Sequence, residues 1–159
     1  MYGYSDTFSV IGALEFTGDS NGELTGDPLA APVWEIGTNK AITWNAWGNL
    51  GLVDIYYAKD GVNFVNPVAT GVTASVGSYT WTPVPNDVID GPMNTNVKFK
   101  VVTQDGLVSD TSDDPLTIKA RLVFDAFDPI LYVDDPDRTD DKYTISWTNY
   151  GIIPNVILK

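Results

Sequence analysis

Short runs of alternating apolar and polar residues occupy the middle of the chain, and β-branched and aromatic side chains are frequent in them. The four clearest runs are 41–45, 52–58, 78–82 and 96–103. An alternation of this kind is the pattern of a β-strand that buries one face. No segment sustains the apolar period of about 3.6 residues that marks a helix, so the pattern predicts an almost purely β protein.

Residues that favour turns separate these runs. Examples are 59–61 (KDG) and 90–92 (DGP), in which glycine, proline and aspartate supply turn geometry. About seven short strands within about 95 residues is the size of an immunoglobulin-like β-sandwich, the all-β fold class that we predict. The predicted core consists of the apolar-phase residues of the runs: Ile42, Trp44, Val53, Ile55, Tyr57, Tyr79, Trp81, Val97, Phe99 and Val101.

The chain contains an internal repeat. Residues 42–48 (ITWNAWG) recur 103 positions later as residues 145–151 (ISWTNYG), and residues 8–16 match residues 116–124 at an offset of 108. The positions that correspond in the second pair of segments are Phe8 with Leu116, Val10 with Ile118, Gly12 with Ala120, Leu14 with Leu122 and Phe16 with Phe124. Offsets of this size are those of whole domains, not of solenoid turns of roughly 20 to 50 residues. We therefore expect sandwich units in tandem.

The repeat predicts how the units divide the chain. Residues 1–16 are interpreted as the terminal strand of a preceding or partner unit, 17–27 as a linker, 28–121 as one complete sandwich, and 122–159 as a linker with the first strands of a following unit. An apolar strand with no domain of its own would expose unpaired backbone groups. Its apolar residues are therefore candidates for donation to another chain: Phe8, Val10, Leu14 and Phe16.

Several motifs of the complete unit are shared with a known family. They are I-T-W at 42–44, K-D-G at 59–61, Y-T-W at 79–81 and V-P at 84–85. With these motifs the chain resembles the immunoglobulin-like module of the Ser-Thr-rich, GPI-anchored fungal cell-wall proteins, which also occurs in bacterial and archaeal surface proteins. The resemblance covers roughly residues 30–120 and again 142–159. It implies a non-catalytic extracellular module of walls, coats and adhesins.

Composition removes several classes of function. Nine basic against 21 acidic residues give a formal charge of −12, which repels nucleic acids and anionic membranes. The absence of cysteine and histidine excludes disulfides, thiolate zinc sites and imidazole bases. No stretch approaches the roughly 18 to 20 apolar residues of a membrane span. Carboxylates facing each other across a cleft are not indicated either, so we do not expect an enzyme.

Acidic residues concentrate where the complete unit meets the next. Residues 104–141 contain 11 of the 21 acidic side chains. Calcium takes about six to eight oxygen ligands, which aspartate-rich loops at a domain junction can supply. We favour a charged, solvated linker for this stretch, and calcium is the candidate cofactor that the alternative interpretation would add. The candidate ligands are Asp110, Asp113, Asp114, Asp134, Asp135, Asp137, Asp140 and Asp141.

Two aromatic residues repeat at equivalent positions, Trp47 and Tyr150. Each stands directly before a glycine, Gly48 or Gly151, where a strand should end. An aromatic side chain in this place can stack on a sugar ring or pack against a neighbouring domain. We favour packing between adjacent units and treat both residues as candidate ligand or interface residues.

Together these features predict a non-enzymatic structural module of an extracellular or cell-surface repeat protein, such as a filament, surface layer or stalk. Strand pairing and packing between domains would assemble it. The expected partners are copies of the protein itself or adjacent repeats of the same chain. The alternative is an adhesive or carbohydrate-binding module on a surface array, for which the partner would be a cell-surface glycan.

Overall fold

The computed structural model describes residues 11–18, 33–125 and 145–159. The strands in these ranges are β1 (Ala13–Gly18), β2 (Val33–Glu35), β3 (Lys40–Trp47), β4 (Leu52–Ala58), β5 (Asn66–Thr73), β6 (Ser78–Trp81), β7 (Met93–Thr103), β8 (Ser109–Thr111), β9 (Leu116–Lys119), β10 (Arg121–Phe124) and β11 (Trp147–Tyr150). Helix within them is confined to two single 3₁₀ turns, Ala74–Val76 and Asn86–Val88. No helix of the described residues is long and apolar enough to cross a membrane.

Two sheets face each other across the core. The first has the strand order β1-β3-β6 and the second the order β2-β9-β7-β4-β5. β9 pairs with the earlier half of β7 and β8 with the later half. Among the described strands every pairing is antiparallel except that of β2 with β9. This order confirms the predicted immunoglobulin-like β-sandwich, and the four predicted runs form β3, β4, β6 and β7.

The core between the sheets is close to the predicted set. Every residue of that set is buried except Tyr79, which is half-buried. At the centre the Phe99 ring lies 5.4 Å from that of Trp34 in a tilted contact and 5.8 Å from that of Trp81 in an edge-to-face contact, and such contacts add to the gain from burial. The alternating pattern missed buried residues of short strands and loops: Trp34, Ile36, Val84, Val88, Ile89, Leu116 and Ile118.

β5 is a strand that the alternating pattern did not predict. It contains Pro67 and Gly71, which are both unfavourable inside a sheet. The strand is tolerated because it lies at the sheet edge, where two irregularities of register with β4 bend it. At one of them the Gly71 N–H donates to the Asp54 carboxylate over 2.8 Å. A bulged edge that carries proline resists pairing with further strands.

β1 is the outer strand of the first sheet and pairs antiparallel with β3. Leu14 is only 8% exposed and belongs to the core, and Phe16 packs against it. The expectation that this strand lacks a partner within its own chain is therefore wrong, because the open edge of β3 accepts it and the core buries Leu14. Phe8 and Val10 lie outside the described residues. Exchange of the strand between chains stays a prediction.

β10 and β11 form an antiparallel ribbon that reproduces the pairing of β1 with β3. The pairs of the ribbon are Arg121 with Tyr150, Leu122 with Asn149, Val123 with Thr148 and Phe124 with Trp147. Their repeat counterparts pair in the same register: Ala13 with Trp47, Leu14 with Ala46, Glu15 with Asn45 and Phe16 with Trp44. The ribbon therefore has the geometry of the first paired strands of the sandwich.

The repeated segment 116–124 contains the last strand of the sandwich and the first strand of the β10–β11 ribbon. Leu116 and Ile118 are buried in β9, the last strand of the sandwich, and β10 follows after the single residue Ala120. The sequence predicts a single terminal strand in the matching segment 8–16. The structure instead places its second half, in β1, at the beginning of a sandwich.

Trp44 and Trp147 hold equivalent positions in different surroundings. Trp44 is buried between the sheets, and its indole N–H donates to the Ala74 carbonyl over 2.9 Å. Trp147 is half-buried, and Phe124 opposite it is 56% exposed. A two-stranded ribbon cannot cover both faces of its own side chains. In the described part of the chain, the second copy thus lacks the facing sheet that buries Trp44.

Candidate functional site

The β10–β11 ribbon meets the end of the sandwich at a small contact that we call the joint. Its central side chain is Tyr150, the last residue of β11, which packs against the core cluster of the sandwich. The joint comprises Gly37, Asn86, Ile89, Ala120, Arg121, Tyr150 and Gly151.

Gly37 provides the surface on which the Tyr150 ring rests. Its φ of +77° is a left-handed conformation that favours glycine. The Gly37 N–H donates to the Val84 carbonyl over 2.9 Å, which ties the turn after β2 to the sandwich. A Cβ atom at position 37 would overlap the Tyr150 ring. Two separate reasons therefore favour glycine at position 37: its backbone conformation and the close approach of the Tyr150 ring.

Arg121 lies directly opposite Tyr150 in the ribbon and covers its ring. The Arg121 Cζ atom is 4.6 Å from the ring centroid. A guanidinium in this position is attracted to the aromatic face by about 0.5 to 2 kcal/mol, depending on how far the pair is desolvated. The Arg121 Nε atom is buried and has no hydrogen-bond partner among the described residues. The ring is therefore a principal contact of this side chain.

Gly151 fixes the backbone of the ribbon to the sandwich. Its N–H donates to the Asn86 side-chain oxygen over 3.1 Å. Its φ is +81°, and a Cβ atom there would lie 3.1 Å from both Ala120 Cβ and Ile89 Cδ1. The Ala120 N–H in turn donates to the Pro92 carbonyl over 2.8 Å. Both strands of the ribbon are thus held where they leave the sandwich.

The other end of β3 carries the repeat counterpart of this arrangement, and within residues 11–18, 33–125 and 145–159 no second sandwich packs on it. Trp47, the counterpart of Tyr150, is 50% exposed. Gly48 has a φ of +87°, and a Cβ atom there would lie 3.1 Å from the Gly12 Cα atom. Ala13 stands opposite Trp47 where Arg121 stands opposite Tyr150. The two repeated aromatic residues therefore have the same backbone setting, and Tyr150 alone of the pair packs on another domain in the described structure.

Two of the candidate calcium ligands in the described residues, Asp110 and Asp113, take part in separate hydrogen bonds. Asp110 is in β8, and its carboxylate accepts the Phe16 N–H over 2.7 Å. The Asp113 carbonyl accepts a hydrogen bond from Lys98 Nζ over 2.6 Å. In residues 11–18, 33–125 and 145–159, no three acidic side chains group closely enough to hold a metal ion. The remaining candidates, Asp134, Asp135, Asp137, Asp140 and Asp141, lie outside the described residues, and calcium binding stays a prediction.

Among the described residues, the carboxylates with shifted pKa values are Asp60 and Asp105, and both form turns. The N–H groups of Asn63 and Val62 donate to Asp60 and lower its pKa from 3.8 to about 2. The Thr103 hydroxyl donates to Asp105 and likewise lowers the pKa of that carboxyl group. A carboxylic acid that acts as a general acid needs a raised pKa. Both pKa values are lowered instead, by hydrogen bonds that form the turns.

A shallow depression of about 300 Å³ lies beside β2. Its walls carry one carboxylate, that of Glu35, which forms an ion pair with Lys119 over 3.1 Å. Lys40 Nζ at its rim lies 5.7 Å from the centroid of the Trp34 ring. Glycoside hydrolysis requires two facing carboxylates, which this depression does not offer.

No protein-family model matches the chain, and no curated protein matches it. Among solved structures the chain is similar to the fibronectin(III)-like modules of CbhA from Clostridium thermocellum, with 16% sequence identity and a TM-score of 0.37. The match covers 71% of this chain and 51% of that one, so the chain spans about half the length of the structure it matches.

Sequence reasoning singled out Trp47 and Tyr150 but not the residues around Tyr150. Arg121 was missed because its repeat counterpart is Ala13, so the repeat gives no sign of a cation there. Asn86 belongs to a turn far from Tyr150 in the chain. Pairing the two repeated segments with each other as neighbouring strands would have placed Arg121 opposite Tyr150.

Proposed function

We propose that this chain is a non-enzymatic structural module of an extracellular or cell-surface repeat protein, such as a filament, surface layer or stalk. The observation that carries the proposal is the joint. A ribbon with the register of β1 and β3 follows the last strand of the sandwich after one residue, and Tyr150 and Gly151 bind it to that sandwich. Sandwiches connected in this way form a row with little freedom between neighbours.

The strand order supports a mechanical role. The first and last strands of the sandwich, β1 and β9, belong to different sheets. Tension applied to the two ends of the unit therefore pulls one sheet against the other. Opening the unit requires the core between them to separate, together with the ladders that hold β1 to β3 and β9 to β7.

Immunogold labelling of intact cells that produce the protein tests the proposal. Antibodies raised against the full chain should label fibres, stalks or a layer outside the cell envelope, and brief protease treatment of the intact cells should remove the label. Labelling that appears only after the cells are opened would contradict an extracellular role.

The second candidate is an adhesive or carbohydrate-binding module, and one observation favours it. Trp47 is half exposed on the outer end of the sandwich, and a flat indole face can stack on a sugar ring. Glycan-array binding by the full chain that disappears in Trp47→Ala would support this role. Phe124→Ala is the matched control, because it removes an equally exposed aromatic ring from the ribbon. Absence of any bound glycan would count against the candidate.

A further inference from the structure

The exposed end of the sandwich around Trp47 has the geometry of one half of a joint. Resting on the proposed tandem function, we infer that this end docks a second sandwich of the same kind. The docked sandwich contributes its own Gly37, Asn86 and Ile89, and Trp47 takes the place that Tyr150 holds in this chain.

Strand register supplies the first step of the argument. Trp47 ends β3 opposite Ala13, and Tyr150 ends β11 opposite Arg121. Each aromatic residue therefore stands at the same point of the same two-stranded arrangement. Because side chains alternate between the faces of a strand, equal register places the two rings on the same face of their strands. In the second copy that face meets the preceding sandwich.

The glycines that follow the two aromatic residues supply the second step. Gly48 and Gly151 have nearly the same left-handed φ, +87° and +81°. Each also approaches the residue that precedes the paired strand: a Cβ atom at Gly48 would lie 3.1 Å from Gly12 Cα, and one at Gly151 would lie 3.3 Å from Ala120 Cα. The backbone of the outer end is therefore already shaped as it is in the occupied joint.

The exposed surface supplies the third step. Trp47 is 50% and Ile11 is 66% exposed at this end. Ala13 stands opposite Trp47 where Arg121 covers Tyr150, so the paired residue offers the indole no guanidinium. The turn around Gly37 accepts an aromatic ring and the Asn86 amide accepts a backbone N–H in this chain's own joint. The same turn and amide on another sandwich offer Trp47 and Gly48 a matching surface.

A tandem variant of the full chain tests the inference. A second copy of residues 13–120 is inserted between Ala120 and Arg121, so that the Trp47 of the inserted copy follows the first sandwich as Tyr150 does now. Both copies are labelled with 5-fluorotryptophan, and the H₂O-to-D₂O shift of each ¹⁹F resonance reports its exposure. The inserted copy's Trp47 should lose its solvent shift and approach the value of buried Trp44, whereas the first copy's Trp47 should keep it.

Gly37→Ala in either copy provides matched variants within this tandem. In the first copy the substitution should return the solvent shift to the inserted Trp47. In the inserted copy the substituted glycine is the one that faces Tyr150, so the inserted Trp47 should stay protected from solvent. Equal solvent shifts for both Trp47 residues, or glycan binding that Trp47→Ala abolishes, would overturn the inference.

The Trp44 resonance of the inserted copy separates failure of this inference from failure of the tandem function. If that Trp44 is buried while both Trp47 residues are exposed, the units repeat but do not dock through Trp47. If that Trp44 is exposed, the inserted sandwich has not folded in tandem, and the proposed function fails as well.

Discussion

The ring of Tyr150 lies so close to the backbone of Gly37 that a single methyl group at position 37 would overlap it. The two residues are far apart in the chain and belong to different copies of the repeat. Their contact holds the β10–β11 ribbon against the sandwich.

Gly37→Ala should loosen the ribbon as well as strain the turn. The positive φ costs about 1 kcal/mol for any residue with a side chain, and the overlap with Tyr150 adds to that cost. Gly51→Ala is the matched control, because Gly51 has a φ of +67° with open space around it. Hydrogen exchange should show lost protection in β11 for the first variant only. Equal exchange in both variants would contradict the contact.

Leu14→Ala should destabilise the sandwich by about 2 to 3 kcal/mol, because it removes a buried side chain from the core. Ile11→Ala, which truncates an exposed side chain just before β1, should change stability by less than about 0.5 kcal/mol. Urea unfolding measures both. If β1 were exchanged between chains, the Leu14 variant would also dissociate an oligomer in sedimentation experiments, and its stability would depend on protein concentration.

Trp44→Phe should cost about 2 kcal/mol, because it creates a cavity and removes the indole donor from the Ala74 carbonyl, which keeps the hydrogen bond from the Gly77 N–H. Trp147→Phe at the equivalent position of the ribbon should cost less than about 1 kcal/mol, since Trp147 is only half-buried. Equal losses in thermal unfolding would mean that the second copy has a complete core.

Acid should weaken the turn that follows β4. The pKa of Asp60 is about 2 in the folded protein against an ordinary 3.8, so the folded state binds this proton less tightly than the unfolded chain does. The stabilisation by ionised Asp60 is therefore present above about pH 4 and is lost as the pH falls through about 2. NMR titration of the carboxyl group should report the low pKa, and Asp60→Ala should reduce the fall in Tm over this range. An ordinary titration midpoint would contradict the hydrogen bonds from Asn63 and Val62.

Calcium, if it binds the aspartate-rich stretch, should raise the Tm of the full chain, and a chelator should reverse the shift. Asp113→Asn combined with Asp114→Asn should reduce the effect, because both residues are predicted ligands. Asp87→Asn, which changes an exposed carboxylate outside residues 104–141, serves as the control. Superimposable melting curves with calcium and with chelator would end the calcium hypothesis.

Much of the fold could be predicted from the sequence because the deciding signals are local. The alternation at 52–58 has the bounds of β4, and the apolar phase of 96–103 places Val97, Phe99 and Val101 in the core. β5 could not be found in this way. Its Pro67 and Gly71 are acceptable only because the strand lies at an edge, and a strand's place in the sheet is not a local property.

The sequence by itself determined that the protein is a β-sandwich with a domain-sized repeat, because the alternation of apolar residues and the repeated segments can be recognised from residue order alone. Only the tertiary structure decided that β1 belongs to the sandwich that follows it, and that Tyr150 rests on Gly37 beneath Arg121. The physical reason is that a strand pairs with whichever edge is open, and a ring packs where the backbone lets it approach. Both depend on residues that folding brings together from distant parts of the chain.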